Sequence, residues 1–331
     1  MNLEVSYRYY QRAFVRPLRT AHGLWEAREG FLLRVESDCG VGYGEVAPIP
    51  EFGTESVERA GNFLKQWQAD PIIMPSGLPC CSFGQTTALH QLEKPVVSGL
   101  RDYSVAGLLP AGEAALGAAR EKSAAGYTCL KWKIGVEPAG AEQAVFKDLL
   151  AGLPEVVLLR LDANGGLAPA ELESWLEALG PARERVEYLE QPLAPGEEAR
   201  MLAASQASGI PIALDESLNQ PGAGRWLTPD AWPGPLVIKP LLMGNVTTLL
   251  EQLRPLANQL VFSSSFETGV GLFIALGLAD LLPEMHHAIG FDTLSAFTDG
   301  LSGLAPGPRL TAEARTNMNL EALWNQLPPL T

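Results

Sequence analysis

The chain has 331 residues, 38 acidic against 24 Lys plus Arg, a formal net charge of −14, 47% apolar residues, 33 Gly and 26 Pro. A charge this negative opposes binding to nucleic acid and to anionic membrane surfaces, both of which attract Lys and Arg, and leaves small molecules or a metal cation as the better partners. The longest nearly uncharged apolar run, Thr268 to Ala279, is too short to span a bilayer, and the N-terminal stretch has no signal-peptide block.

These features set the expectation of a soluble cytoplasmic protein with no membrane and no obligate protein partner. Cys39, Cys80, Cys81 and Cys129 show no CxxC spacing and read as buried or incidental thiols. Length allows two domains, or one α/β barrel with a small companion.

In chain order, Phe31 to Ser37 and Gly40 to Val46 read as antiparallel strands. Gly40, Gly42 and Gly44 form a GxGxG, but Pro48 and Pro50 stand where a phosphate-binding helix would have to start, so a hairpin strand is expected. Thr54 to Gln68 has helical spacing, with Val57, Phe63, Leu64 and Trp67 as its apolar positions. Asp70 to Cys81 carries three Pro and is expected to be irregular. Residues 1–100 thus read as an α+β unit.

From about residue 103 short apolar runs alternate with helical stretches. The runs are 103–109, 127–135, 156–165, 186–193, 210–217, 235–240, 260–265 and 287–292. Eight βα units are the number that closes a TIM-like barrel of the α/β class. The barrel is assigned to 101–305, and 306–331 is expected to return to the first unit.

Most runs end in a polar or charged residue: Lys131 and Lys133, then Asp162, Glu190, Asp215, Lys239 and Ser263 to Ser265. From Lys133 the steps are 29, 28, 25, 24 and 24 residues, each about one βα unit. Equal phase places these groups on one ring at the C-terminal mouth of the barrel, where such folds carry their active sites. The strand period of two puts Lys131 and Lys133 on one face and Trp132 on the other.

Asp162, Glu190 and Asp215 make a hard-oxygen site suited to Mg²⁺, with Mn²⁺ as a substitute. Taken singly, each acid is equally readable as a solvated strand end or a helix N-cap. Of the adjacent Asp215 and Glu216 only one can point inward from a strand, and Asp215 continues the inward phase. Lys133 and Lys239 would face each other across the ring. A buried Lys beside other cations loses proton affinity and can act as a general base, while a Lys ammonium and a divalent cation offset the charge of an enediolate. The competing reading is a structural charge ring.

Lys131-Trp132-Lys133, LDANGG with Asp162, EQPL with Glu190, LDES with Asp215 and VIKP with Lys239 resemble the enolase superfamily in its muconate-lactonizing subgroup. The resemblance covers nearly the whole chain, including GYGEVAPIP at Gly42 to Pro50, and implies a (β/α)7β barrel with an N-terminal α+β capping domain. SSSFETGVG (Ser263 to Gly271), GFDTL (Gly290 to Leu294) and RTAHGLWEAREG (Arg19 to Gly30) are most similar to the o-succinylbenzoate synthase family.

That likeness implies a syn dehydration of 2-succinyl-6-hydroxy-2,4-cyclohexadiene-1-carboxylate in menaquinone or phylloquinone biosynthesis. Lys133 would be the base, Lys239 would stabilise the enediolate, and Lys131 would orient the carboxylate and depress the pKa of Lys133. Asp162, Glu190 and Asp215 would hold Mg²⁺, with Ser263, Ser264, Asn164 and Gly290 as substrate contacts.

An N-acylamino acid racemase or a cycloisomerase fits the same scaffold, and a non-catalytic barrel that binds an acidic metabolite is the alternative of another class. Phe291-Asp292-Thr293-Leu294 lacks the Asp-x-Asp of dipeptide epimerases. His286 and His287 are expected to be packed or solvent-facing. His22, Arg19 and Arg28 are candidate anionic-substrate contacts of low specificity, and Trp25 is a candidate pocket wall.

Overall fold

The computed structural model describes residues 3–20, 23–93 and 100–329; His22 and the side chain of Arg19 lie outside the described parts. Strands β1 (Glu4–Thr20), β2 (Gly23–Ser37) and β3 (Gly40–Val46) form an antiparallel sheet in that order. The β2–β3 register runs from Phe31↔Val46 to Ser37↔Gly40, as the alternation requires. β1 lies ahead of the first strand expected from sequence. One of its buried positions is Arg12, 0% exposed, and a charged residue there breaks the apolar alternation by which a strand is read.

Helix α1 (Val57–Ala69) is capped by Ser56, whose hydroxyl accepts from Arg59 N, and buries Ala60, Phe63, Leu64 and Trp67 against the sheet. Helix α2 (Pro79–Glu93) takes over the end of the stretch expected to be irregular. Proline is tolerated at a first helical position because the N–H it lacks there would have no partner. α2 lies so close to β3 that a Cβ on Gly42 would sit 2.1 Å from Ala88 O, and one on Gly44 2.3 Å from Gly84 O. The GxGxG therefore serves helix-on-strand contact and not phosphate.

The second part continues as β4 (Tyr103–Ser104), β5 (Gly107–Leu109), α3 (Ala114–Ala124), β6 (Cys129–Lys133), α4 (Ala139–Gly152), β7 (Leu158–Asp162), α5 (Pro169–Leu179), β8 (Val186–Glu190), α6 (Glu198–Ser208) and β9 (Ile212–Ala213). It ends with β10 (Leu236–Ile238), α7 (Val246–Leu253), β11 (Leu260–Phe262), α8 (Gly269–Asp280), β12 (Arg309–Leu310), α9 (Ala312–Thr316) and α10 (Leu320–Asn325). β5 to β9 form one parallel sheet and β10–β11 another. Single parallel bridges, Leu214↔Leu236, Ser263↔Gly290 and Val105↔Ile289, close them into a ring.

Two departures from the expected regularity stand out. The eighth run, 287–292, supplies only the bridges at Ile289 and Gly290. Between β9 and β10 the described chain makes 3₁₀ turns at Glu216–Asn219 and Ala223–Trp226 instead of an α-helix. Pro221, Gly222, Gly224, Pro229, Pro233 and Gly234 leave no helix-compatible stretch there.

The two parts share a core in which Tyr10, Leu32 and Phe83 pack with barrel residues. Glu45 on β3 is 0% exposed and accepts from Tyr10 Oη at 2.7 Å, Thr268 N at 3.0 Å, Gly271 N at 2.8 Å and Thr268 Oγ1. Its charge is thus satisfied at the N-terminus of α8, where the helix dipole favours an anion. β12 pairs with β4, while Arg8 on β1 donates to the carbonyls of Trp324 and Leu327 at 2.8 and 2.7 Å, so the C-terminal segment touches both parts. Among the described residues no helix is long and apolar enough to cross a membrane. Cys80, Cys81 and Cys129 are buried, Cys39 is exposed, and all four are free.

Candidate active site

A cavity of about 320 Å³ opens at the C-terminal ends of the barrel strands. Its floor holds Lys131, Lys133, Asp162, Asp215 and Lys239, and its roof is the apolar set Leu18, Trp25, Ile49 and Phe52 from the N-terminal part. Asn164, Ser263, Ser264 and Gly290 also line it. Glu190 does not reach the cavity wall; it lies beneath, 0% exposed. The strands account for these positions. Lys133 is in register with Asp162 across β6–β7, and Asp162 with Glu190 across β7–β8.

The Lys131 ammonium sits 2.8 Å from Asp162 Oδ2 and 2.7 Å from Glu190 Oε1. Lys239 Nζ pairs with Asp215 Oδ1 and lies 5.3 Å from the Phe52 ring centroid. Lys133 makes no ion pair among the described residues.

Burial opposes the charge of Lys131, but Asp162, Glu190 and Asp215 outweigh it and raise its pKa well above the ordinary value. Burial likewise opposes the charge of Lys239, and Asp215 and Glu216 outweigh it, with a net upward shift. Both lysines are held in the charged form because each is packed against acids, as expected for Lys239.

The carboxylates divide in the same way. Burial would raise Asp162, yet Lys131 and the Asn164 N–H, 2.9 Å from Oδ1, hold it below the usual range. Burial and the Asp162 charge push Glu190 up to about 8 against the pull of Lys131. Burial, then Asp215 and Asp162, push Glu216 up to about 7.

Among the described residues no three His, Cys, Asp or Glu side chains converge as a ready metal cluster, since the two ammonium groups are interposed. The donor set nevertheless fits a hard divalent cation. Glu190 Oε2 and Glu216 Oε2 are both buried without a hydrogen-bond partner, an arrangement a cation would relieve.

Glu216 corrects the sequence reading that only one of the Asp215-Glu216 pair can face inward. β9 ends at Ala213 and Glu216 opens a 3₁₀ turn, so strand alternation no longer applies and both side chains line the cavity. Asn164, in the left-handed region at φ 46°, donates from Nδ2 to Glu216 Oε1 at 3.1 Å. Arg28 is not an anion contact: it is 4% exposed and its guanidinium is taken up by backbone carbonyls.

Ser264 Oγ is engaged internally, donating to Glu267 and accepting from Phe266 N and Thr293 Oγ1. His287 Nδ1 lies 2.6 Å from Glu187 Oε1, beside the Arg160–Glu187 pair, whereas His286 is exposed. Asp292 is occupied by Leu108 N, Lys122 and Tyr127 Oη and does not line the cavity, which agrees with the reading against dipeptide recognition on this strand.

Residues 114–230 match the family model for "Enolase C-terminal domain-like", and residues 13–92 match "MenC, N-terminal domain". A barrel of parallel strands with acids and lysines at its mouth, roofed by an α+β unit, defines a member of the enolase superfamily. The chain is 35% identical to o-succinylbenzoate synthase of Thermosynechococcus vestitus, over 97% of its own length and 98% of the relative's. It belongs to the o-succinylbenzoate synthase family.

The crystal structure of o-succinylbenzoate synthase from Thermosynechococcus elongatus BP-1, complexed with Mg in the active site, superposes with a TM-score of 0.81 at 33% identity, covering 98% of this chain and 100% of that one. N-succinyl Arg/Lys racemase from Bacillus cereus, at 16% identity and TM-score 0.78 over 99% and 98% of the two chains, shares the fold.

Proposed function

We propose that the cavity catalyses the Mg²⁺-dependent syn elimination of water from 2-succinyl-6-hydroxy-2,4-cyclohexadiene-1-carboxylate to give 2-succinylbenzoate, a step of menaquinone or phylloquinone biosynthesis. The enzyme is a lyase, and family membership over almost the full chain supports the reaction. The observation that carries the site assignment is two lysines on one face of β6 with a third, Lys239, directly after β10, over buried carboxylates at or just past the ends of β7, β8 and β9.

Lys133, without an ion pair among the described residues, would take the proton from the carbon bearing the carboxylate and return it to the departing hydroxide, so that water leaves. Lys239, held charged by Asp215 and Glu216, would stabilise the enediolate. Lys131, held charged by its acids, would orient the substrate carboxylate. Asp162, Glu190 and Asp215 would hold Mg²⁺, or Mn²⁺ in its place, which when bound supplies positive charge to the carboxylate as it becomes an enediolate. Ser263, Asn164 and Gly290 would meet the rest of the substrate. Residues 1–100, 101–305 and 306–331 would then act as cap, barrel and returning segment of a cytoplasmic enzyme.

The test is formation of the aromatic product by the purified protein with Mg²⁺, followed by ultraviolet absorbance. Turnover is expected in the parent, with a loss of about 10²–10⁴ in Lys133→Ala. No product, or full activity in Lys133→Ala, would refute the reading. Lysines on both faces also suit racemisation of N-succinyl amino acids, and deuterium exchange at the α-carbon reads out that second activity; absence of exchange removes it.

A further inference from the structure

Two walls of the cavity are joined by one guanidinium. Arg28 on β2 makes no ion pair among the described residues. Its Nε donates to Ser265 O at 3.0 Å, its Nη1 to Pro48 O at 2.5 Å and Glu29 O at 2.9 Å, and its Nη2 to Ala47 O. Ala47 and Pro48 lead directly into Ile49 and Phe52, the apolar roof. Ser265 belongs to the barrel turn that lines the cavity next to that roof with Ser263, Ser264 and Phe266.

That turn is not at rest by its own geometry, since Phe266 is held in the left-handed region at φ 60°. Its neighbours over-determine it. The Glu267 carboxylate accepts from Ser264 Oγ and from Ser265 N at 2.7 Å, while Arg12 donates to Glu267 O at 2.6 Å.

We propose that Arg28 is a positioning residue for substrate selection: by tying the carbonyls of both walls to one rigid fork, it sets their separation and hence the acyl chain that fits between them. Arginine is needed because its planar fork reaches carbonyls in divergent directions, whereas a lysine ammonium presents three donors from one point. Its acceptors come from the cap segment and the barrel turn that meet at the cavity. The inference rests on the function proposed above, with the reacting carboxylate at the lysines, and adds to it that the succinyl chain lies toward the cap.

The experiment uses the full chain with Mg²⁺ and Arg28→Lys, reading kcat, KM and calorimetric Kd values for 2-succinylbenzoate and for benzoate, which lacks the chain. The expected result is a rise of about tenfold or more in KM and in Kd for 2-succinylbenzoate, with kcat within about threefold and benzoate binding unchanged. A lower melting temperature with unchanged KM and Kd, or a fall in kcat alone, overturns the proposal. If Arg28→Lys does not fold, Glu267→Gln loosens the same turn from its other side: a rise in Kd confined to 2-succinylbenzoate supports the proposal and an unchanged Kd overturns it. Failure of the parent to turn over the cyclohexadiene carboxylate would instead strike the functional reading itself.

Discussion

Lys131→Met should weaken the metal-free protein while tightening its hold on Mg²⁺. Methionine keeps the apolar stem and removes the charge that lies 2.8 Å from Asp162 and 2.7 Å from Glu190. With Glu190 pushed up to about 8, that acid is largely protonated near neutral pH, and the charge left without a partner is that of Asp162. Asp162 then either remains ionised and unpaired or binds a proton. Either way the loss is that of removing one partner from a buried ion pair, about 3–5 kcal/mol.

The sign with pH follows from the same loss. In the variant the folded pKa of Asp162 lies above the unfolded one, so the deficit is full above neutrality and shrinks as pH falls and the proton replaces the ammonium. Mg²⁺ reverses the order, because the carboxylates no longer have an ammonium competing for them; each 1.4 kcal/mol of relieved competition is worth about tenfold in Kd. Turnover should fall at the same time, since the substrate carboxylate would lose the cation proposed to orient it. Urea unfolding with EDTA or Mg²⁺ across pH 6 to 8, together with Mg²⁺ calorimetry, separates the effects. A variant as stable as the parent without metal, or one that binds Mg²⁺ more weakly, would refute the reasoning.

Raised carboxyls imply proton release on metal binding: with Glu190 at about 8 and Glu216 at about 7, Mg²⁺ affinity should rise from pH 6 to 8 and then level off. Calorimetry in buffers of different ionisation enthalpy should show protons leaving, and proton uptake would contradict the assignment. Thiol reagents should modify Cys39 in the native protein while sparing Cys80, Cys81 and Cys129 until unfolding, because burial removes access and pushes the Cys129 thiol up to about 12. Rapid native labelling of more than one thiol would contradict the packing described.

The part of the site carried by regular strands was legible from spacing. Lys131, Lys133, Asp162 and Glu190 lie within or at the ends of β6, β7 and β8, where a period of two and a repeat of one βα unit determine which way a side chain points. Legibility fails where backbone regularity does. Glu216 enters the cavity because β9 has already ended, and Ser264 is engaged by Glu267 and Thr293, contacts made by a turn and by a distant loop. β1 was hidden for a related reason: Arg12 occupies a core position on the strength of Asp299, Glu267 O and Ser302, partners more than 250 residues away in sequence.

The ring also shows how one set of residues serves two states. Without metal, the excess of buried acid is met by Lys131 and Lys239, so the carboxylates neither repel the strands apart nor stay open to water. Their ammonium groups cost burial energy that acids alone repay, which is why both are held charged well into alkaline pH. With those acids engaged by Mg²⁺, the two lysines would lose their counter-charge, and a substrate carboxylate or enediolate would be the group able to replace it. Lys133, with no ion pair to surrender among the described residues, needs no such exchange. That difference supports the proposed role of Lys133 as proton carrier and of the other two as charge stabilisers.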